Sequence, residues 1–185
     1  MDAFIKKIVG ICALIFLSIG TVNAVDLEKL FKQDDINLIL NGQGVRDKFF
    51  IDLYVAGLYL KEKSSDFQKI INADEPMNIR LHIVSSLITS QKMEDGTREG
   101  FKNSTNGNME PIKEKIESFL AVFREEIKEN DIYDFLYIPQ SGINIYKNSK
   151  LKKTIKSLEF KKALFAIWIG ENPAQDSLKK DILGL

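Results

Sequence analysis

Cysteine and histidine are almost absent from this chain of 185 residues, which contains one of each. Cys12 lies in an apolar N-terminal stretch, so the chain beyond it can form no disulfide, thiol nucleophile or thiolate metal site. His82 has no second histidine to join it in a metal site or a proton relay. We therefore predict that the protein uses neither a metal ion nor an organic cofactor.

An excess of charge of either sign is also lacking. The chain has 26 Lys and Arg residues against 26 Asp and Glu residues, which argues against a nucleic-acid partner. Hydrophobic residues make up 44% and charged residues 28%, a composition typical of a globular protein. The length suits one domain of ordinary size.

A hydrophobic run long enough to span a bilayer is missing as well. The apolar run at residues 8–20 is too short for a membrane-spanning helix. Two lysines precede it and Ala24 follows it, so residues 1–24 have the pattern of a secretory signal peptide cleaved after that alanine. An uncleaved anchor is the alternative. We expect a periplasmic or secreted protein with one domain at residues 25–185 and no stable membrane span.

Alternating apolar residues predict strands, and apolar residues three or four apart predict helices. The predicted strands cover residues 36–60, 78–85, 133–138, 142–147 and 152–157. The predicted helices cover residues 64–73, 89–103, 111–128 and 159–170, with a last helix from Pro173 or Asp176 to Gly184. This order of elements predicts an α+β fold in which helices pack on an antiparallel sheet.

The elements include one helix with a continuous apolar face and one strand with a mixed face. The helix at residues 111–128 has an apolar face that consists of Ile112, Ile116, Phe119, Leu120, Phe123 and Ile127. In the first strand region, Tyr54, Ala56 and Leu58 share a face with polar residues by the period of two. We therefore expect that face of the sheet to be only partly covered.

Two glycines and an arginine interrupt an apolar stretch, "LNGQGVRDKFF". Gly42 and Gly44 lack the third glycine of a dinucleotide fingerprint and the Gly-Lys-Ser/Thr of a P-loop, so a nucleotide site is not expected. The glycines indicate either a bulge in a strand or a backbone that a ligand approaches closely. Arg46 either pairs with a nearby aspartate, Asp47 or Asp52, or binds an anion through its two-pronged guanidinium.

The two ends of the domain resemble a known family. "LNGQGVRDKFFIDLYVAGLYLK" at residues 40–61 resembles the opening motif of the chalcone isomerase fold. "FKKALFAIWIGENPAQDSLKKDILG" at residues 160–184 resembles the bacterial secreted branch, the chalcone isomerase-like proteins. The similarity covers essentially the whole domain. It implies an open-faced β-sandwich, in which a large antiparallel sheet carries a helical layer on one face and a ligand cleft lies between them.

The resemblance also implies roles for individual residues. In the plant enzymes, the arginine of a Gly-x-Gly-x-Arg segment steadies the substrate phenolate during ring closure, and Arg46 matches it. The plant threonine of the next strand falls near Tyr54. The plant tyrosine and asparagine of the following helix fall near Lys92 and Glu99, and the late Thr/Ser position falls near Ile167. Only the arginine is retained, with Tyr54 as a substitute for the threonine.

Plastid members of this fold bind fatty acids through an arginine and a tyrosine, and the chain resembles this pattern more closely. Arg46 with Tyr54 or Tyr59 would form the polar end of such a site. The full set of candidate ligand-binding residues is Gly42, Gly44, Arg46, Tyr54, Tyr59, Ile167 and Trp168, and Arg46 and Tyr54 are also the candidate catalytic residues.

Three functions are compatible with these residues. The first is binding of a small apolar carboxylate or phenolate, in a pocket lined by residues such as Phe50, Leu58, Phe119 and Trp168. The second is an intramolecular lyase of chalcone isomerase type, with Arg46 as the stabiliser of negative charge. The third is a structural or accessory protein whose own side chains fill the cleft. We favour the first, because most of the plant catalytic positions are not retained.

Overall fold

The computed structural model describes residues 25–185 and contains one antiparallel sheet of seven strands. The strands are β1 (Leu30–Gln33), β2 (Ile36–Lys48), β3 (Ile51–Leu60), β4 (Met77–Ile83), β5 (Ile132–Ile138), β6 (Gly142–Lys147) and β7 (Lys150–Ile155). They lie side by side in sequence order, with β1 and β7 at the two open edges. The predicted signal peptide lies outside the described residues. Within residues 25–185, no helix is long and apolar enough to cross a bilayer.

Within residues 25–185, five α-helices accompany the sheet. They are α1 (Phe67–Asn72), α2 (Ser90–Ser104), α3 (Lys113–Leu120), α4 (Leu158–Ile169) and α5 (Asp176–Leu183). Side chains cap three of them: Asp66, Thr89 and Ser157 each accept a hydrogen bond from a backbone N–H in the first turn of α1, α2 and α4. The predicted α+β class and the antiparallel sheet are confirmed.

The main core lies between the helices and one face of the sheet. Phe119 is completely buried, and its ring centroid lies 5.1–6.0 Å from four other aromatic centroids. These rings belong to Phe101, Phe123, Phe135 and Phe160. A smaller cluster on the opposite face contains Phe31, Leu38, Tyr59, Leu136 and Tyr146. The sheet is therefore covered by apolar packing on both faces, with the helices on only one.

The face of the hairpin that carries Tyr54 is covered only in part, as predicted. Tyr54, Ala56 and Leu58 are all buried, and they belong to the main core beneath the helices. The polar residues that share this face, Lys48 and Asp52, are exposed at the turn end of the hairpin.

The predicted strand at residues 36–60 is two strands, separated by a tight turn at Phe49 and Phe50. Both residues adopt positive φ angles, 53° and 64°. Two-residue hairpin turns with this geometry favour Asn and Gly, so two phenylalanines give no turn signal in the sequence. The structure also contains β1, in a segment for which the sequence patterns predict no strand.

The predicted helix at residues 111–128 is also divided. It consists of a 3-10 helix at Glu110–Ile112, α3, and a second 3-10 helix at Ala121–Arg124. The chain then becomes extended at Glu125, with φ −68° and ψ 142°. This frees the carbonyl oxygen of Glu126 to accept a hydrogen bond from Lys147 Nζ at 2.5 Å. The predicted apolar face is nevertheless buried along its whole length.

A buried lysine ties α4 to α1. Lys161 is fully buried, and its Nζ donates to the carbonyl oxygens of Ile70, Ile71 and Ala73 at 3.1, 2.9 and 2.8 Å. Burial lowers the pKa of Lys161 to about 8, so the ammonium group still carries its proton at neutral pH. Its three N–H groups thus satisfy carbonyl groups at the end of α1, which have no partner within that helix.

Phe119 is the side chain whose loss should affect this core most clearly. We expect Phe119→Ala to lower the free energy of unfolding by ~3–5 kcal/mol, because the cavity would lie among four aromatic rings. Urea denaturation measures this change. Leu151→Ala on β7 is the control, since Leu151 is 56% exposed and should change stability by less than about 0.5 kcal/mol. A similar effect of both variants would contradict the described packing.

Candidate functional site

Arg46 lies on β2, directly opposite Tyr54 on β3. Side chains of directly opposed residues project from the same face of a sheet, so both point towards the helices. The register of the two strands shifts immediately after this pair, because β3 contains one residue more than β2 there. Such a bulge reorients the neighbouring side chains, and it places Arg46 at the edge of the main core rather than in the solvent.

Among the residues that the structure describes, the guanidinium group of Arg46 donates hydrogen bonds only to neutral oxygen atoms. Its Nη1 donates to the backbone carbonyl of Asp47 at 2.6 Å and to Gln175 Oε1 at 2.8 Å. Among residues 25–185, no carboxylate oxygen lies within 4.0 Å of its nitrogen atoms. The ion pair with Asp47 or Asp52 that the sequence offered as an alternative is therefore not formed.

Gln175 holds this arrangement in place from the N-terminus of α5. Its Oε1 accepts from the backbone N–H of Asp47 at 3.2 Å as well as from Arg46. Its Nε2 donates to Asp47 Oδ1 at 2.6 Å and to Ser177 Oγ at 2.7 Å. One amide group therefore binds both the arginine and the aspartate that follows it, and Asp47 Oδ1 is engaged with an amide rather than with the guanidinium.

Tyr54 supplies a neutral hydroxyl group beside the guanidinium. It is buried, and its Oη accepts a hydrogen bond from Trp168 Nε1 at 3.1 Å. Burial raises the pKa of Tyr54, and this effect outweighs the opposing effects of the Trp168 hydrogen bond and the Arg46 charge. The phenol therefore keeps its proton at neutral pH, and it acts as a hydrogen-bond donor rather than as a base.

Tyr59, the other candidate tyrosine, lies on the opposite face of the sheet. Its Oη donates to the carbonyl oxygen of Glu28 at 3.0 Å, and its ring packs against Phe31. The structure therefore does not bring Tyr59 together with Arg46. Tyr54 and Tyr59 are five residues apart in β3, and residues an odd number apart in a strand point to opposite faces of the sheet.

Gly42 and Gly44 accommodate a close approach, and the approaching group is α5. A Cβ atom on Gly42 would lie 2.2 Å from the carbonyl oxygen of Asp181. A Cβ atom on Gly44 would lie 2.6 Å from the Cβ atom of Asp181. A register shift before Gly42 also marks a bulge at Asn41. The strand therefore contains a bulge, and its backbone is also closely approached. The approaching group is α5, however, and not a ligand.

Ile167 and Trp168 are adjacent on α4 and serve different contacts. Ile167 packs against α2, where a Cβ atom on Gly100 would lie 2.7 Å from its Cγ2. Trp168 lies over the sheet, with its ring 5.8 Å from that of Phe135 and its Nε1 bonded to Tyr54. Of the pair, only Trp168 joins the group around Arg46.

The remaining positions that the resemblance assigns to catalysis lie elsewhere. Lys92 and Glu99 are exposed on α2, and Lys92 Nζ donates to the carbonyl oxygen of Leu87 at 3.0 Å. Of the side chains expected to line a pocket, Phe50 is exposed, whereas Leu58 and Phe119 are completely buried in the core. Two open clefts, of about 510 and 330 Å³, have linings that do not include Arg46.

The sequence did not single out Gln175 or Arg80. Gln175 stands directly before α5 in "NPAQDS", and only the packing of α5 on β2 brings it to Arg46. Arg80 lies on the face of Tyr59 and binds Asp134 with two hydrogen bonds, Nε to Oδ1 at 2.9 Å and Nη2 to Oδ2 at 3.1 Å. Its charge is therefore neutralised within the protein.

Comparison with known proteins identifies the family. A family model described as chalcone isomerase-like matches residues 19–184. The chain belongs to the chalcone isomerase-like family. A search of curated proteins gives no match.

Solved structures share the fold. One of them is the crystal structure of a fatty-acid binding protein from Arabidopsis thaliana, with a TM-score of 0.63 and 20% sequence identity. The alignment covers 79% of this chain and 86% of that chain. The predicted sheet with its helical layer on one face is thereby confirmed as a chalcone isomerase-like fold.

The contact between α5 and β2 can be tested with two glycines, one that lies against α5 and one that contacts no other group. We expect Gly42→Ala to lower the free energy of unfolding by at least ~1–3 kcal/mol, because backbone atoms of α5 would have to move. Gly96→Ala, in the interior of α2, should instead raise it by about 0.5–1 kcal/mol, since no atom lies within 4 Å of the new methyl group. Thermal or urea unfolding of both variants measures the difference, and a tolerated Gly42→Ala would show that α5 does not lie against this strand.

Proposed function

We propose that this protein binds a small apolar anion, a carboxylate or a phenolate, with Arg46 as the group that holds the negative charge. The proposal rests on the burial and the hydrogen-bond partners of Arg46. Its positive charge is half-buried at the edge of the core, and its described hydrogen-bond partners are all neutral. A carboxylate would form stronger, charge-assisted hydrogen bonds with the same group.

Tyr54 adds a second donor to this site. Because burial keeps its hydroxyl protonated, Tyr54 can donate a hydrogen bond to an anion that Arg46 also binds. Trp168 orients the hydroxyl by donating to its oxygen, which leaves the hydroxyl proton free to turn towards a ligand. The pair suits a ligand with one compact negative group.

The place of Gln175 indicates how such a ligand would enter. Its Oε1 lies 2.8 Å from Arg46 Nη1, at the distance that a carboxylate oxygen would adopt. We infer that the anion replaces this amide oxygen. The apolar part of the ligand would then lie along the edge of the main core, next to Ala174, which packs against that core.

The relatives support the same class of ligand. The Arabidopsis protein that shares this fold is a fatty-acid binding protein. A fatty acid combines a carboxylate with a long apolar chain, which matches a guanidinium at the edge of an apolar core. We further propose that residues 1–24 direct the protein to the periplasm or the exterior, where it would hold this ligand as a binding protein.

The second candidate function is a structural role without a ligand. It is supported by the side chains that fill the space between the sheet and the helices. Leu58 and Phe119 fill the space between sheet and helices and are completely buried. In that account Gln175 is the permanent partner of Arg46. An isomerase is less well supported, because Lys92 and Glu99 are exposed and do not converge on Arg46.

The charge of the ligand provides the first test. We expect dodecanoate to bind residues 25–185, and Arg46→Ala to weaken binding by ~1.5–3 kcal/mol, roughly ten- to a hundred-fold in Kd. The uncharged methyl ester should bind weakly to both proteins. Titration calorimetry measures the affinities. Arg98→Ala is the control, because Arg98 forms an exposed ion pair with Glu117 on another surface. Equal affinity of wild type and Arg46→Ala would exclude Arg46 as the anion-binding group.

Gln175 distinguishes the binding protein from the accessory protein. If the ligand replaces its amide oxygen, Gln175→Ala removes a competitor, and dodecanoate should bind at least as tightly as to the wild type. If Gln175 is only a structural partner, its loss should lower the free energy of unfolding by about 1 kcal/mol or more without creating a site for dodecanoate. Calorimetry and urea denaturation of the same variant separate the two results.

A further inference from the structure

The turn between β2 and β3 contains the most exposed large apolar side chains of the described residues. Phe49 is 82% exposed and Phe50 is 104% exposed. Both have positive φ angles, 53° and 64°, a conformation that is costly for aromatic residues. Asn-Gly would fit the turn better and would keep its surface polar. The two phenylalanines therefore do not serve the stability of the hairpin.

Further apolar side chains lie at the same end of the sheet. Ile51 follows the turn and is 42% exposed, and Leu87 is 48% exposed. The loop that carries Leu87 begins beside β3, where the N–H of Val84 donates to the carbonyl oxygen of Leu53 at 3.0 Å. We call Phe49, Phe50, Ile51 and Leu87 the apolar tip.

The apolar tip is small, which does not suit a protein partner. Two fully exposed phenylalanines present roughly 400 Å² of surface. A stable protein interface takes about 800 Å² from each partner and needs a complementary surface around it. Protruding aromatic side chains are instead suited to the interfacial region of a bilayer, which adapts to their shape.

Lysines accompany the apolar tip at two points. Lys48 Nζ lies 5.8 Å from the centroid of the Phe49 ring. Lys92 Nζ is bonded to the carbonyl oxygen of Leu87 at 3.0 Å. Apolar side chains flanked by ammonium groups match a lipid surface with anionic headgroups, in which the rings enter the acyl boundary and the lysines remain among the phosphates.

We propose that the apolar tip docks the protein on a lipid surface that contains anionic headgroups. Arg46 lies on the same hairpin as the apolar tip, three residues before Phe49. Docking would therefore hold the edge of the core that contains Arg46 close to the lipid headgroups. The proposal does not depend on the ligand proposed for Arg46, because its support comes from the turn and its surroundings alone.

The test uses residues 25–185, which contain all seven strands and both apolar clusters, so that the apolar segment at residues 8–20 does not contribute. The probe is a vesicle of phosphatidylcholine and phosphatidylglycerol in a ratio of about three to one. We expect the wild type to sediment with the vesicles. The double variant Phe49→Asn with Phe50→Gly should lose at least roughly ten-fold in partitioning, because both rings are removed.

The same double variant should be more stable than the wild type, since Asn-Gly suits this turn. A rise in the urea midpoint would show that lost binding does not reflect unfolding. Leu151→Ser is the matched control, because it removes an exposed leucine from β7 and should leave partitioning unchanged.

Fluorescence gives a second readout of insertion. Trp168 is the only tryptophan and is buried, so brominated lipids should not quench the wild type. Phe50→Trp should be quenched and should shift its emission to the blue in the presence of vesicles. Vesicle binding that survives the double variant, or a wild type that does not bind vesicles, would overturn the proposal. So would a wild-type dimer that the double variant loses, because the apolar tip would then contact a second copy.

Discussion

The contact between α5 and the backbone of β2 is the constraint on which the candidate site depends. Gly42 and Gly44 leave no room for a side chain between strand and helix. The helix can therefore lie directly on the strand, and Asn41 fastens its end by donating to the carbonyl oxygen of Ile182 at 2.9 Å. This position of α5 is what brings Gln175, at the other end of the helix, onto Arg46. The two glycines of β2 thus determine that Gln175 is the residue that contacts Arg46, which lies further along the same strand.

The sheet contains two half-buried arginines, and the difference between their partners supports the proposed ligand site at only one of them. Arg80 is bound by both oxygens of Asp134 and lies over the rings of Phe31 and Tyr59, with centroid distances of 5.4 and 5.8 Å. A buried charge of this kind is compensated within the protein, and removing its partner would be costly. Arg46 has neutral oxygens in the same role. Such partners can be exchanged for an anion without leaving a carboxylate unpaired, so the chemistry favours ligand binding at Arg46 and a structural role for Arg80.

The regular elements and the family could be predicted from the sequence, whereas the contacts at the site could not. Apolar periodicity was sufficient for most of the sheet and of the helices, and the two end motifs indicated the family and made Arg46 and Tyr54 candidates. The turn at Phe49 escaped prediction because turn preferences argue for polar or small residues there. The role of the glycines and of Gln175 depends on where α5 lies. Asp47 and Gln175 are 128 positions apart in the sequence, so no local pattern indicates this contact. Period-two alternation does separate Tyr54 from Tyr59, but it cannot say which face the helices cover.

The central claim is that Arg46 holds a small apolar anion, and it is tested most directly by mass spectrometry of the small molecules extracted from purified protein. Residues 25–185 and the Arg46→Ala variant would be prepared side by side and extracted with organic solvent. The account predicts a carboxylate or a phenolate in the wild-type extract that is missing or strongly reduced in the variant. The same anion in equal amounts from both proteins would contradict it, because the guanidinium would then have no part in holding the ligand.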